Sequence, residues 1–255
     1  MFVTTREKYV LDMAEKGLRV DSRKAENYRE ITIERDFIKT AEGSAKVTLG
    51  NTQVVVGVKM SVGVPYADRP NEGVLIVNAE LVPMADPEFE PGPPSAASVE
   101  VARVVDRGIR ESKMLDLKKL FISEKEVWMV NVDIHVLDHD GNMIDAAALA
   151  AVAALSSTMV PKYEDGKITV EEKTGPLPVV SKPVTITVAK VADKLFVDPC
   201  QAEENVMSAR LTVSLKDNDN LCSLQKGGDA GLTVDEITRI IDMAKEKSVE
   251  LRKLL

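Results

Sequence analysis

Apolar positions along the chain follow two periods. Where they recur every second residue, or run unbroken over a few positions, they predict strands: residues 30–37, 46–49, 54–60, 74–82 and 127–137, then 184–191, 194–198, 210–216 and 221–225. Gly50 and Asn51 join the second and third runs as a hairpin turn. Where apolar positions recur every three to four residues they predict helices. One runs from Thr5 to Lys16 and stops at Gly17. A second follows PEFEPGPPS, residues 87–95, whose four prolines exclude regular structure; Ser95 or Ser98 caps it. The last opens at a capping box of Thr233 and Glu236, with Val234, Ile237, Ile241, Ala244, Ser248 and Leu251 on one face.

The stretch AAALAAVAAL, residues 146–155, has no polar face, so its helix belongs in the interior, where small side chains admit close neighbours. Residues 161–183 carry Pro161, Gly166, Gly175, Pro176, Pro178 and Pro183 and read as the connection between two halves. Each half sets antiparallel strands ahead of helices, which is an α+β pattern.

Composition changes this picture little. At 255 residues, 44% hydrophobic and 29% charged, the chain can bury a sizeable core. A net charge of −8 means that any nucleic-acid contact must come from a local basic patch. Two distant cysteines, Cys200 and Cys222, suit a reducing compartment. The start, MFVTTREKYV, lacks a signal-peptide apolar run, and residues 146–155 are too few to span a bilayer. The expectation is a cytoplasmic protein without membrane contact.

Three constellations carry candidate chemistry. In DHDGNMID, residues 138–145, a glycine turn feeds a helix N-terminus, a natural seat for an anion, yet Asn142, Met143 and Ile144 bring no positive charge. Asp133, His135, Asp138, His139, Asp140 and Asp145 cluster in sequence but lack metal-ligand spacing, so they read as structural, with no metal or cofactor. In SVEVARVVDRGIRESK, residues 98–113, Arg103, Arg107 and Arg110 lie opposite the face of Val101, Val104, Val105, Gly108 and Ile109. Guanidinium forks suit phosphate oxygens; the competing reading is a solvated face with Asp106 and Glu111 as local partners.

Most of the chain resembles the RNase PH family, and within it the non-catalytic RNase PH-like subunits of archaeal exosomes. The resemblance is carried by GLRVDSRKAENYRE, GSAKVTLGNTQVVVGVK, PNEGVLIVNAELVPMADPEFEPGPP, VEVARVVDRGIRESKMLDLKKL, VLDHDGNMIDAAALAAVAAL, LFVDPCQAEE and LQKGG. It implies an RNase PH fold of two βαβ-type halves, residues 29–160 and 183–255, the first with ribosomal-protein-S5-domain-2-like character. Active members hold phosphate with a Ser or Thr and an Arg after the glycine. Aligned on Val136, Leu137 and Asp140, those positions are Met143 and Ile144, or Asn142 and Met143 after a one-residue slip. Active members also carry an Asp twelve residues beyond the position matching Asp198; here Arg210 stands there, and a guanidinium is no acid–base group at neutral pH. Ser22 replaces a glycine common in the family.

The resemblance therefore implies a subunit without catalytic residues of its own. It would alternate with a catalytic RNase PH-like partner in a hexameric ring bearing RNA-binding cap subunits, which degrades single-stranded RNA from the 3′ end with phosphate. Arg103 and Arg107 would hold the RNA backbone, while Arg110 matches less securely. The alternatives are an active phosphorolytic exoribonuclease and a pure scaffold without RNA contact.

Overall fold

A computed structural model describes residues 4–255. The first helix, α1 (Thr5–Glu15), starts at Thr4, whose hydroxyl accepts from the Glu7 N–H while the Glu7 carboxylate accepts from the Thr4 N–H. Strands β1 (Ile31–Arg35), β2 (Gly43–Leu49), β3 (Thr52–Gly63), β4 (Val74–Leu81), β5 (Phe121–Ser123) and β6 (Glu126–Asp138) form one sheet in the order β1-β2-β3-β6-β4, with β5 added to β6. Only β4 runs parallel to β6, and α2 (Ala96–Ser112) crosses between them from its cap at Ser95. The β2–β3 loop has two residues, with Gly50 at φ +59° in its first position, as a type II′ turn needs.

The Ala-rich helix α3 runs from Met143 to Ser157, three residues earlier than its apolar run suggests, and is buried continuously from Ile144 to Leu155. Its position explains its composition. One side packs on β2 and β3, another on α2, and a third on β9 (Val184–Val191) of a second sheet. With sheet on both sides it has no solvent face, and alanine lets the layers close up.

The second sheet has the order β10-β9-β11-β12, with β10 (Lys194–Val197), β11 (Ala209–Leu215) and β12 (Leu221–Gly227), all neighbours antiparallel. Its inner face meets α2 and α3 with hydroxyls: Thr185 bonds Ser214 and Thr187 bonds Thr212, each at 2.9 Å. Its outer face is covered by α5 (Val234–Arg252). A short helix, α4 (Gln201–Glu204), joins β10 to β11.

Two sequence expectations need correction. Residues 161–183 are not simply a connection. They contribute to a hairpin of β7 (Met159–Glu164) and β8 (Lys167–Pro176) around Asp165 and Gly166, both at positive φ as a type I′ turn requires. Pro161 is tolerated at a register irregularity and Pro176 at the strand end. In α5 the buried positions are Ile240, Met243, Ala244, Ser248 and Leu251; Ile237 and Ile241 are only partly buried and Val234 is exposed, because the stripe that meets the sheet is centred on Ile240 and Ala244.

Ser22 holds the left-handed conformation, φ +63°, that a glycine adopts freely. The turn survives the replacement at a conformational cost of about 1 kcal/mol. Ser22→Gly should therefore raise stability by up to about 1 kcal/mol, or about 2–4 °C in Tm for a chain of this size, in a reversible thermal melt. An unchanged or lower Tm would show that the serine is unstrained.

Candidate nucleic-acid interface

The turn before α3 keeps the shape of an anion seat but faces carboxylates of the same chain. Asn142, almost fully buried at φ +54°, donates its backbone N–H to Glu204 Oε1 at 2.9 Å. Its side-chain amide donates to Asp145 Oδ2 at 2.9 Å and Asp198 Oδ1 at 2.8 Å. Met143 and Ile144 pack into the core instead of facing the turn. A Cβ on Gly141, at φ +87°, would lie 2.5 Å from the Cys200 carbonyl carbon, so this close approach to α4 requires glycine. Arg29 braces the turn by donating to the carbonyls of Asp140 and Gly141, and the Thr52 hydroxyl donates to the Gly141 carbonyl at 2.7 Å.

Burial dominates the titration of two carboxyls here. It pushes Asp145 up to about 6 against bonds from Asn142, Tyr28 and Thr187, and Glu204 up to about 7 against the Asn142 N–H and Arg210. Their ionised forms sit where an incoming phosphate would add further negative charge.

The acid and histidine cluster disperses. Asp133 faces Asn78, and His135 lies 3.4 Å from Glu80 on the open sheet face. His139 stacks on Phe89, and burial lowers its pKa. Asp140 accepts from the Asn51 amide at 3.1 Å, Asp138 is exposed, and Asp145 is in the core. Among the described residues no three His, Cys, Asp or Glu side chains gather as a metal ion would need.

Arg103 and Arg107 are exposed on α2, one turn apart, along a groove of about 340 Å³ between α2 and β12. The groove carries the half-exposed Val99 and Leu224, with Gln225 beside them. Neither of the two partners expected of a solvated face engages these arginines. Asp106 is taken by Arg110 at 2.7 Å, whose guanidinium also donates to the Leu75 carbonyl, and Glu111 forms no ion pair among the described residues. Arg110 is thereby directed away from Arg103 and Arg107. Arg210, at the start of β11, reaches across to Glu100 of α2 at 2.6 Å. Gly227 opposite makes room for it, since a Cβ there would lie 2.7 Å from the Arg210 Cζ. Sequence reasoning missed Glu100, Glu204 and the hub role of Asp198, because the partner that each one takes lies on a distant element.

Comparison with known proteins sets this geometry in a family. Models of the 3′ exoribonuclease (RNase PH) family match residues 27–161 as domain 1 and 182–247 as domain 2. The chain belongs to the RNase PH family. It is 51% identical over 248 residues to exosome complex component Rrp42 of Methanopyrus kandleri, covering 96% of this chain and 93% of that one. The same-named protein of Methanosarcina acetivorans is 48% identical over 255 residues, covering 100% and 94%. A chain in the Archaeoglobus fulgidus exosome with RNA bound to the active site superposes at a TM-score of 0.92 with 46% identity, covering 97% of this chain and 96% of that one. These matches, like the two sheets and their helices, agree with the α+β RNase PH fold.

The raised carboxyls set a pH dependence. A carboxyl whose folded pKa exceeds its unfolded value favours the folded state fully below the unfolded pKa, and that contribution is lost as pH rises through the folded pKa. Glu204, at about 7 against 4.5, therefore weakens the fold between about pH 4.5 and 7. Glu204→Gln, which keeps an acceptor for the Asn142 N–H, should be about 1–3 kcal/mol more stable than the parent at pH 8 and equal to it below about pH 4.5. Denaturant melts across that range check this; an advantage that does not grow with pH contradicts the assignment.

Proposed function

We propose that this chain is a non-catalytic, RNA-contacting subunit of an archaeal exosome ring. The observation that supports this most is the contrast between two neighbouring features. The anion seat before α3 is lined by the chain's own carboxylates, while Arg103 and Arg107 stand exposed without an internal ion pair among the described residues. Like charges four residues apart on a helix disfavour it slightly, so the pair suits an external polyanion. The reading gives the chain two domains, residues 29–160 and 183–255, no catalytic residue, and neither metal nor cofactor. Its partners are a catalytic RNase PH-like subunit in a hetero-hexameric ring, RNA-binding cap subunits and single-stranded RNA. Phosphate attack on the last phosphodiester needs cations at the seat and a proton-transferring carboxylate; here Asn142, Met143, Ile144 and Arg210 occupy the corresponding positions.

Two outcomes follow. The isolated chain, incubated with single-stranded RNA, phosphate and magnesium, should release no nucleoside diphosphates above a protein-free control; phosphate-dependent release would make it an exoribonuclease in its own right. Replacing Arg103 and Arg107 together by Glu should leave ring assembly intact, because both side chains point to solvent, but should weaken RNA binding and slow decay. For every RNA phosphate that is no longer neutralised, the salt slope of log K falls by about 0.7. Rings that assemble, bind and degrade like the parent at every salt concentration would leave only the scaffold reading.

A further inference from the structure

Glu100 is the one carboxylate among the residues lining the groove of Arg103 and Arg107. It lies three residues before Arg103 on α2, a spacing at which opposite charges pair across one helical turn. Left free, Glu100 would compete with an incoming phosphate for Arg103. In the structure it is engaged elsewhere. Arg210 Nη2 holds its Oε1 at 2.6 Å from the second sheet, and Arg103 makes no ion pair among the described residues. The Arg210 side chain is 14% exposed and that of Glu100 33%, so the pair sits at the groove edge, partly shielded from solvent and less screened by salt than a free surface pair. Gly227 leaves the volume that lets the guanidinium lie along β12 toward α2.

We infer that Arg210 is a positioning residue for RNA: it draws Glu100 off Arg103 and cancels its charge, keeping Arg103 available to a phosphate. The inference rests on the reading of Arg103 and Arg107 as RNA contacts. In this role Arg210 touches no RNA. Its effect on RNA passes through Glu100, which makes it separable from a direct cationic contact.

The test uses the ring assembled with its RNase PH-like partner, and single-stranded RNA binding measured across a salt series. Arg210→Gln should weaken binding about fivefold at low salt and reduce the slope of log K by about 0.7, the share of one neutralised phosphate. Adding Glu100→Gln to that variant should restore parental affinity and slope, because no carboxylate then remains to occupy Arg103. Arg210→Lys retains the charge and should bind like the parent; it also carries the test should the Gln variant not assemble. A Lys variant that loses binding, or a Gln variant that Glu100→Gln does not rescue, overturns the inference. Parental binding by Arg210→Gln overturns it as well, provided that Arg103→Glu with Arg107→Glu weakens binding in the same assay. If that double variant also binds like the parent, the failure lies with the RNA-contact reading itself.

Discussion

The fold turns on one buried carboxylate. Asp198, fully enclosed and at φ +52°, accepts hydrogen bonds from Arg23, Arg29 and Asn142, while its carbonyl accepts from Arg19 and Arg23. Beside it, Arg19 forms a buried two-point pair with Glu203 and lies over the Phe196 ring. These contacts tie the segment ahead of the first sheet, the turn ahead of α3 and the end of β10 into one unit. A charge this deep is tolerable only with its partners in place, and removing one of them costs about 3–5 kcal/mol. The shape of the 140–142 turn is therefore demanded by the network. This explains how an anion-seat geometry persists although the neighbouring cations, Arg23 and Arg29, are already paired to Asp198: the turn has a structural reason to exist.

A second polar layer lies one step further in. Asp145, in the first turn of α3, accepts from Tyr28, Asn142 and both the backbone and hydroxyl of Thr187. The inner face of the second sheet continues it through Thr212, Thr185, Ser214 and Ser223. An otherwise apolar contact between α3 and a sheet tolerates sliding, whereas paired hydroxyls and a carboxylate fix the position along the helix. Apolar packing sets how close the two halves lie, and this seam sets their alignment.

Much of this was legible in the sequence because it is local. The strand alternation, the capping box at Thr233 and Glu236, the cap at Ser95 and the buried nature of residues 146–155 each depend on neighbours a few positions away. The β7–β8 hairpin carried a local signal too, Asp165-Gly166, but the surrounding prolines masked it. The face of α5 was misjudged because a helix's buried stripe is set by where it meets the sheet, which places Ile240 and Met243 inside and leaves Val234 out. The Arg23 and Arg29 contacts to Asp198 and the Arg210–Glu100 pair join residues more than a hundred positions apart. No periodicity marks them, and only the RNase PH resemblance drew notice to position 210.

The distribution of charge connects these pieces. A chain with a net charge of −8 repels RNA on average, yet at physiological salt that repulsion decays over about 8 Å. What a phosphate meets is the balance within one groove. Elsewhere in the fold cations are matched to internal anions, Arg23 and Arg29 to Asp198 and Arg110 to Asp106, and at the groove edge Arg210 is matched to Glu100. Arg103 and Arg107, which make no ion pair among the described residues, stand on the open side of α2. The same arrangement leaves the anion seat before α3 with Glu204 and Asp145, whose carboxyls resist a second negative charge. One pattern of pairing thus separates a surface suited to holding a polyanion from a turn unsuited to receiving free phosphate, and it does so on a backbone whose form the Asp198 network preserves.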